Sequence, residues 1–181
     1  MKCDVTIYGN PVLRKKAVSI ENIDDSIKRL AKDLLDTMYS TNGLGLAAEQ
    51  IGRTEAICVI DVPASIDIDE TTKKRINPGI KMPIIMLNPV ITRMEGEQVG
   101  QEGCLSFPDI FVTIKRAAQV EVKFLNISGK EDVLEVSGLI ARTVQHEVDH
   151  LNGILLVNRM STVQKLSNAG KLKKLKKLGK E

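Results

Sequence analysis

The histidines most constrain what this chain can fold into, because there are only two and both lie in the segment His146-Glu147-Val148-Asp149-His150. On a helix, residues four apart lie one turn along the axis and about 40° apart around it, so both imidazoles can reach one metal ion. Glu147 projects about 100° from His146, where it can touch a metal-bound water without binding the metal. The alternative is that both histidines are core residues whose hydrogen bonds are satisfied within the protein. Packing alone, however, rarely places the only two histidines of a chain four residues apart beside a glutamate. The segment therefore predicts a metal site on a helix.

The residues around this segment predict a central helix from about Ser137-Gly138 to Gly153. Thr143 and Leu139 lie on the histidine stripe, about one and two turns before His146. A second stripe is apolar and contains Ile140, Val144, Val148 and Leu151. A helix with so little polar surface is typical of the centre of a domain. Asp149 points away from the histidines, and we expect it to anchor the helix through Arg116 or Arg142.

The third metal ligand must come from upstream, because no histidine or cysteine follows His150 and the only later carboxylate side chain is that of Glu181. Cys104 is the leading candidate, although a free cysteine is more often a small buried apolar residue. Cys58 fits that second description better, and Cys3 lies close to the first residue. Two imidazoles and one thiolate leave a tetrahedral position open for water, which is typical of a catalytic site. Zinc and ferrous iron both suit these donors.

The rest of the chain predicts a single α+β domain over residues 1–181, with short antiparallel sheets around the histidine helix. An N-terminal helix begins after Asp24 or Asp25 and ends at Asn42-Gly43. The apolar stripe of that helix contains Ile27, Leu30, Ala31, Leu34 and Met38. Strands are predicted at 56–62, 84–88, 90–94, 119–125 and 132–136, the last two forming a hairpin. Residues 63–83 are predicted to be a long surface loop, and about 162–178 a basic C-terminal helix.

Charge separates the chain into two parts. The formal net charge is +3, but residues 161–181 carry +6 and the remaining 160 residues carry −3. We therefore distinguish a catalytic body, 1–160, from a basic tail, 161–181. The tail is either a solvated helix with a thin seam of Leu172, Leu175 and Leu178, or a surface that binds a phosphate backbone.

Composition excludes several classes of protein. The chain has no run of 18 apolar residues, so no transmembrane helix and no membrane association are expected. Three cysteines do not make a disulfide framework, which indicates a reducing cytoplasm. Aromatic residues make up 3% of the chain, which argues against recognition of nucleic acid by base stacking.

Three segments together resemble the signature motifs of the peptide deformylase family. They are residues 43–50 (GLGLAAEQ), 102–106 (EGCLS) and 145–150 (QHEVDH). The resemblance also includes IYGNPVLRKKA near the start, DTMYS, LNPVI and GLIAR, and it covers roughly residues 7–160. One departure is Glu49, because the family more often has proline or another small or uncharged residue at that position. Three motifs in this order are far more specific than the histidine segment alone.

The resemblance implies hydrolysis of the formyl group from the N-terminal formyl-methionine of newly made polypeptides, with release of formate. It implies that the metal ligands are Cys104, His146 and His150, and that the ion is Fe²⁺ in many members, with Zn²⁺, Ni²⁺ or Co²⁺ also found. A metal-bound water would attack, and Glu147 would be the general base and acid. The oxyanion would be held by the Gln50 amide and the Leu105 N–H. The substrate-binding residues would be Leu44, Gly45 and Gly103 for the peptide backbone, and Leu139 and Thr143 for the methionine.

Resemblance also implies that the tail can dock on the ribosome, where nascent peptides emerge. Two other functions stay open from the residues themselves. The first is a zincin-like metallopeptidase, which the lack of a ligand after His150 disfavours. The second is a ribosome- or nucleic-acid-binding protein with a structural metal, which would need a fourth protein ligand.

Overall fold

Two long helices organise the computed structural model, which describes residues 1–180. Helix α1 spans Asp25–Ser40 and helix α2 spans Gly138–Leu151. The Asp24 carboxylate caps α1 by accepting hydrogen bonds from the N–H groups of Ser26 and Ile27, as the sequence predicted. Most side chains of α2 are buried, which agrees with its predicted central position. The helix that carries both histidines is therefore held from several sides.

Seven strands form two antiparallel sheets within residues 1–180. They are β1 (Gly45–Ala47), β2 (Ile57–Ile60), β3 (Ile84–Glu95), β4 (Gln98–Gly103), β5 (Phe111–Arg116), β6 (Gln119–Leu125) and β7 (Glu131–Ser137). The larger sheet has the order β1-β2-β3-β6-β7, and the smaller one pairs β4 with β5. The predicted hairpin is β6–β7, in which Val122 lies opposite Leu134. The predicted α+β class is confirmed.

Strand β2 is the layer between the two long helices. Cys58 and Ile60 pack in the apolar cluster that contains the buried face of α2. Ile57 and Val59 point the other way, into the cluster that contains the apolar stripe of α1. Alternate residues of a strand face opposite sides of the sheet, which explains why all four are fully buried. The sheet thereby fixes β1, and the segment after it, against α2.

Several elements differ from the sequence predictions. Residues 84–95 form one strand through Pro89, where two strands were predicted. The strands β4 and β5 and the short helix α3 (Leu156–Arg159) were not predicted. Residues 63–83 lack helix and strand, as predicted, and the buried Asp67 carboxylate holds that segment by accepting hydrogen bonds from Asn77. No helix within residues 1–180 has the length and apolarity needed to cross a membrane.

The basic tail is two helices rather than the single predicted one. Helix α4 spans Thr162–Ser167 and helix α5 spans Ala169–Leu178, with Asn168 between them. Leu175 is buried in a cluster with Leu13 and Phe107, so α5 packs on the body of the protein. The lysines of α5 are exposed. Glu181, the last residue of the predicted tail, lies outside the described residues.

Candidate metal and active site

The three predicted metal ligands lie together. One ligand atom from each of Cys104, His146 and His150 falls within 4.8 Å of the other two. The Cys104 Sγ atom is 3.3 Å from His150 Nε2. The two imidazole rings have centroids 5.0 Å apart and an interplanar angle of 69°. A thiol from the middle of the chain thus meets both histidines, as expected from the lack of any histidine or cysteine after His150.

Different elements supply these side chains. Both histidines project from one face of α2, four residues apart. Cys104 immediately follows the last residue of β4 and begins a turn in which the Phe107 N–H donates to its carbonyl. The smaller sheet therefore positions the sulfur, and the buried helix positions the nitrogens.

Glu102 orients His146 and was not predicted to take part in the site. Its Oε2 atom lies 3.0 Å from His146 Nδ1, which leaves Nε2 of that ring for the metal. The same carboxylate accepts hydrogen bonds from Arg116 at 2.9 Å and from Arg142 at 2.7 Å. Burial alone would raise the pKa of Glu102, but the hydrogen bonds from Arg116 and His146 hold it well below its usual range. Glu102 is therefore a charged anchor for the histidine.

Asp149 has the anchoring position that the sequence predicted. Its carboxylate accepts hydrogen bonds from Arg116 and from Arg159 of α3. Arg142, the other predicted partner, binds Glu102 instead. Arg116 thus connects Asp149 with Glu102, and the connection extends to His146. Buried ion pairs of this kind add little net stability because desolvation offsets their attraction, but removal of one partner leaves an uncompensated buried charge.

Glu147 follows His146 on α2 and is almost completely buried. The side chain is 3% exposed, and its Oε2 atom is buried without a hydrogen-bond partner. Burial raises the pKa of this carboxyl to about 7. A Cβ atom on Gly45 would lie 2.5 Å from Glu147 Oε1, so the backbone of β1 approaches this carboxylate directly. Only glycine leaves room for it there.

Gln50 faces the metal ligands through its amide nitrogen. Its Oε1 atom accepts a hydrogen bond of 2.9 Å from the Ala47 N–H, which fixes the orientation of the amide. The Nε2 atom therefore points to the Cys104 Sγ, 3.6 Å away, and to the Ser106 hydroxyl, 3.4 Å away. Within residues 1–180 the backbone N–H of Leu105 donates no hydrogen bond to the protein. Two donors are thus available beside the sulfur.

A cleft of about 530 Å³ opens over these groups. It is lined by Cys104, His146 and Glu147, together with the predicted substrate-binding and oxyanion residues Leu44, Gly45, Gln50, Gly103, Leu105, Leu139 and Thr143. His150 is 1% exposed and lies behind this lining. All predicted site residues are therefore brought to one cleft or to its buried wall.

The residues present fit a divalent metal ion. One sulfur and two imidazole nitrogens converge, and this donor set is suited to zinc and to the later first-row transition metals. Burial lowers the pKa of His150 well below its usual value, so this ring is neutral, as a ligand must be. Its Nδ1 atom is buried without a partner, whereas Glu102 binds Nδ1 of His146. The ligand group includes neither of the other two cysteines: Cys58 is fully buried in the core, and Cys3 lies against α1, where its N–H donates to the Thr37 hydroxyl.

Comparisons by family model, by sequence and by structure all match this chain to proteins of a single family. The family model described as polypeptide deformylase matches residues 2–166. A peptide deformylase of Thermomicrobium roseum is 44% identical over 152 residues, covering 84% of this chain and 82% of its own. One from Alkalilimnicola ehrlichii is 37% identical over 176 residues, covering 97% and 92%. The crystal structure of a peptide deformylase from Legionella pneumophila superposes with a TM-score of 0.83 at 36% identity, covering 98% of this chain and 97% of the other. This chain belongs to the peptide deformylase family of hydrolases.

Proposed function

We propose that this protein removes the N-formyl group from the N-terminal formyl-methionine of newly made polypeptides and releases formate. One observation carries the proposal: the Cys104, His146 and His150 ligand atoms lie within 4.8 Å of one another beside a cleft that the Glu147 carboxyl also lines. Family membership gives the reaction class, hydrolysis of an amide. The residues supply the groups that this chemistry needs.

Cys104, His146 and His150 would hold one divalent cation per chain. The donors suit Fe²⁺, which we propose as the ion in the cell, and also Zn²⁺, Ni²⁺ and Co²⁺. Such an ion, when bound, acts as a Lewis acid and lowers the pKa of water. The thiolate must be reduced to bind it, and the three cysteines are free, which supports a reducing cytoplasm as the place of action.

Glu147 would move the proton. As general base its carboxylate takes a proton from the attacking water, and as general acid it gives that proton to the nitrogen of methionine. The bond between the formyl carbon and this nitrogen breaks, which yields formate and a free amino terminus. Burial places the pKa of Glu147 at about 7, close to the value at which one carboxyl accepts and returns a proton efficiently.

Gln50 and Leu105 would stabilise the negative charge that develops on the formyl oxygen. The Gln50 amide is held by the Ala47 N–H, so its NH₂ group is directed at the site before substrate arrives. The backbone N–H of Leu105 supplies a second donor. Donors that are oriented in advance contribute several kcal/mol in comparable sites, about 3 kcal/mol for one of them.

The peptide would bind as an extended strand. Strand β1 is the end strand of the larger sheet and β4 an end strand of the smaller one, and residues of both line the cleft. Unpaired strand edges bind extended peptides through backbone hydrogen bonds. Leu44 and Gly45 would contact the peptide from one side and Gly103 from the other. Leu139 and Thr143 of α2, on the histidine face, would contact the methionine side chain.

The tail would bind the ribosome. We propose a division of the chain into a catalytic body, 1–160, and a basic tail, 161–181. Helix α5 is attached to the body through Leu175, and its lysines are exposed. Lysine clusters gain affinity for phosphate backbones by releasing counterions, and such binding would keep the cleft close to emerging formylated chains.

The alternatives have less support. A zincin-like metallopeptidase would take a third ligand from the chain after the histidine helix, whereas the sulfur here comes from before it. A binding protein with a structural metal would need a closed set of four protein ligands, and the group found within residues 1–180 has three.

The test is metal analysis of anaerobically purified protein together with formate release from formyl-Met-Ala-Ser. The proposal predicts one transition metal per chain and continuous turnover. The variant Cys104→Ala should lose both, while the Cys58→Ala variant, altered in a buried cysteine that is not in the ligand group, should keep both. Metal-loaded protein that releases no formate would refute the proposed reaction.

A further inference from the structure

Phe111 is an exposed aromatic residue on the wall of the active-site cleft. Its side chain is 65% exposed, whereas the other two phenylalanines, Phe107 and Phe124, are 1% and 5% exposed. A large apolar side chain left in water at the mouth of a binding cleft is a feature of surfaces that bind something apolar. Nothing in the proposed chemistry uses this ring.

The position of the ring is set by its partner on the neighbouring strand. Phe111 of β5 lies directly opposite Gly103 of β4, so both residues face the same side of the small sheet. A Cβ atom on Gly103 would lie 2.7 Å from Phe111 Cε1, which means that the ring covers the space that glycine leaves free. The ring therefore lies beside the residue that precedes the metal ligand Cys104.

Shielding of the Gly103 backbone is one reason for an aromatic residue at this position. It does not account for the exposure, because most of the ring stays uncovered. The neighbours on the same face, Gln101 and Thr113, carry no charge, and Arg142 in the cleft is bound to Glu102. The exposed Asp109 also lines the cleft, so the surface around the ring is suited to an uncharged group rather than to an anion.

We infer that Phe111 determines specificity for the residues that follow the formyl-methionine, by binding an apolar side chain of the peptide against its ring. This inference rests on the proposed function. A peptide that enters the cleft along Gly103 has its methionine at α2 and must continue past the neighbouring ring. Covering part of a phenylalanine ring by a leucine-sized side chain corresponds to a preference of about threefold to tenfold in kcat/KM.

The experiment compares two peptide series, formyl-Met-X-Ser and formyl-Met-Ala-X, in which X is Ala, Leu, Phe, Asp or Lys. The measured quantity is the ratio of kcat/KM for Leu or Phe to that for Ala at the same position, since Asp109 in the cleft would disfavour a substrate Asp by charge alone. The native protein should prefer these larger apolar residues by about threefold to tenfold in at least one series. The variant Phe111→Ser should bring the ratio close to one, and Phe111→Leu should restore most of it.

Val99 provides the matched control. It is 68% exposed and lies on the same face of the same small sheet, but outside the cleft lining. The variant Val99→Ser should keep the native ratio. A ratio unchanged in Phe111→Ser, or no preference in the native protein, would overturn the inference while leaving the proposed function intact. Absence of formate from every peptide would refute the proposed function and this inference with it.

Discussion

The Glu102 carboxylate lies 3.0 Å from Nδ1 of His146, and this contact fixes which nitrogen of the ring faces Cys104. Arg116 and Arg142 hold the same carboxylate from other directions. The metal site is therefore oriented by a charged residue that lies only two positions before the sulfur ligand. Such outer contacts set both ring orientation and basicity of a histidine ligand.

Replacement of this carboxylate should weaken metal binding. The variant Glu102→Gln keeps the shape of the side chain but loses the charge that faces His146, so metal affinity should fall by about 10- to 100-fold. Competition with a chelator, followed by metal analysis, measures the change. Glu97→Gln is the matched control, because Glu97 is an exposed glutamate paired with Lys115 at the surface. Equal metal retention in both variants would argue against the role of Glu102.

Replacement of Glu147 should almost abolish turnover without loss of the metal, unlike replacement of a metal ligand. The variant Glu147→Gln should retain one metal ion per chain, since this carboxylate is not among the converging ligand atoms. Turnover should fall by a factor of about 10² to 10⁴, the usual contribution of a general acid–base group. Formate release and metal content are measured on the same sample. Loss of the metal, or activity within tenfold of the native value, would contradict the assigned role.

The close approach of Gly45 to Glu147 predicts a steric effect on catalysis. A methyl group at position 45 would lie 2.5 Å from Glu147 Oε1, so Gly45→Ala must displace the carboxylate. A displacement of about 1 Å costs about 100-fold in rate. Gly79→Ala is the control, because a Cβ atom there meets nothing within 4 Å. Steady-state kinetics on formyl-Met-Ala-Ser compares the two variants, and equal activity would show that the contact is unimportant.

Much of this arrangement could be predicted from the sequence, because the strongest signals were local. The apolar stripes of α1 and α2 recur at helical spacing, and the two histidines and Cys104 have few rival ligands in the chain. Strand β4 was missed because QVGQEG has two glycines and little alternation of apolar residues. Two strands separated by Pro89 were predicted from the sequence. In the structure β2 pairs only with Ile84–Leu87 of β3, so at Pro89 this edge of β3 has no strand beside it and needs no N–H donor there.

The contacts between distant residues could not be predicted. Glu102 and Arg116 are 14 positions apart and meet because they lie on paired strands. The orientation of the Gln50 amide depends on the Ala47 N–H, which no periodic pattern encodes. The sequence predicted the residue types of the site, whereas the folded chain determines which atom of each side chain faces the ligand position.

Glu49 should make stability depend on pH. Its carboxyl is fully buried, neither oxygen has a hydrogen-bond partner, and burial raises its pKa from 4.5 to about 8. Between these two values the folded state keeps a proton that the unfolded state has lost. The contribution of Glu49 to the free energy of unfolding is therefore greatest below pH 4.5 and falls by up to about 1.4 kcal/mol per pH unit until about pH 8.

Glu49→Gln removes this titration, so the variant should gain stability relative to the native protein as pH rises from 5 to 8. Denaturant unfolding at several pH values measures the slope, and the expected difference at pH 8 is on the order of 4 kcal/mol. Glu70→Gln, which alters an exposed carboxyl of the 63–83 segment, should follow the native slope. If the free energy of unfolding of Glu49→Gln depends on pH as steeply as that of the native protein, then Glu49 is already ionised, or its carboxyl is hydrogen-bonded, in the folded native protein.

Ribosome binding by the tail is best tested by removing charge rather than by deleting the helix. Deletion would expose Leu13 and Phe107, which pack with Leu175, and would confuse a folding defect with a loss of binding. Changing Lys173, Lys174 and Lys177 to Gln removes three exposed charges and leaves Leu175 in place. If all three contact phosphates, co-sedimentation with ribosomes at low salt should weaken, and the dependence of log affinity on log salt should become shallower by about 2.

The matched control removes the same charge from the other end of the chain. Lys28, Arg29 and Lys32 are exposed on α1, and changing all three to Gln lowers the net charge by the same amount. Because counterion release depends on charges that contact the phosphate backbone, only the tail variant should lose ribosome binding, while both keep native turnover of formyl-Met-Ala-Ser. If both variants lose ribosome binding equally, the attraction depends on net charge alone. If neither loses it, the tail is not part of the ribosome-binding surface.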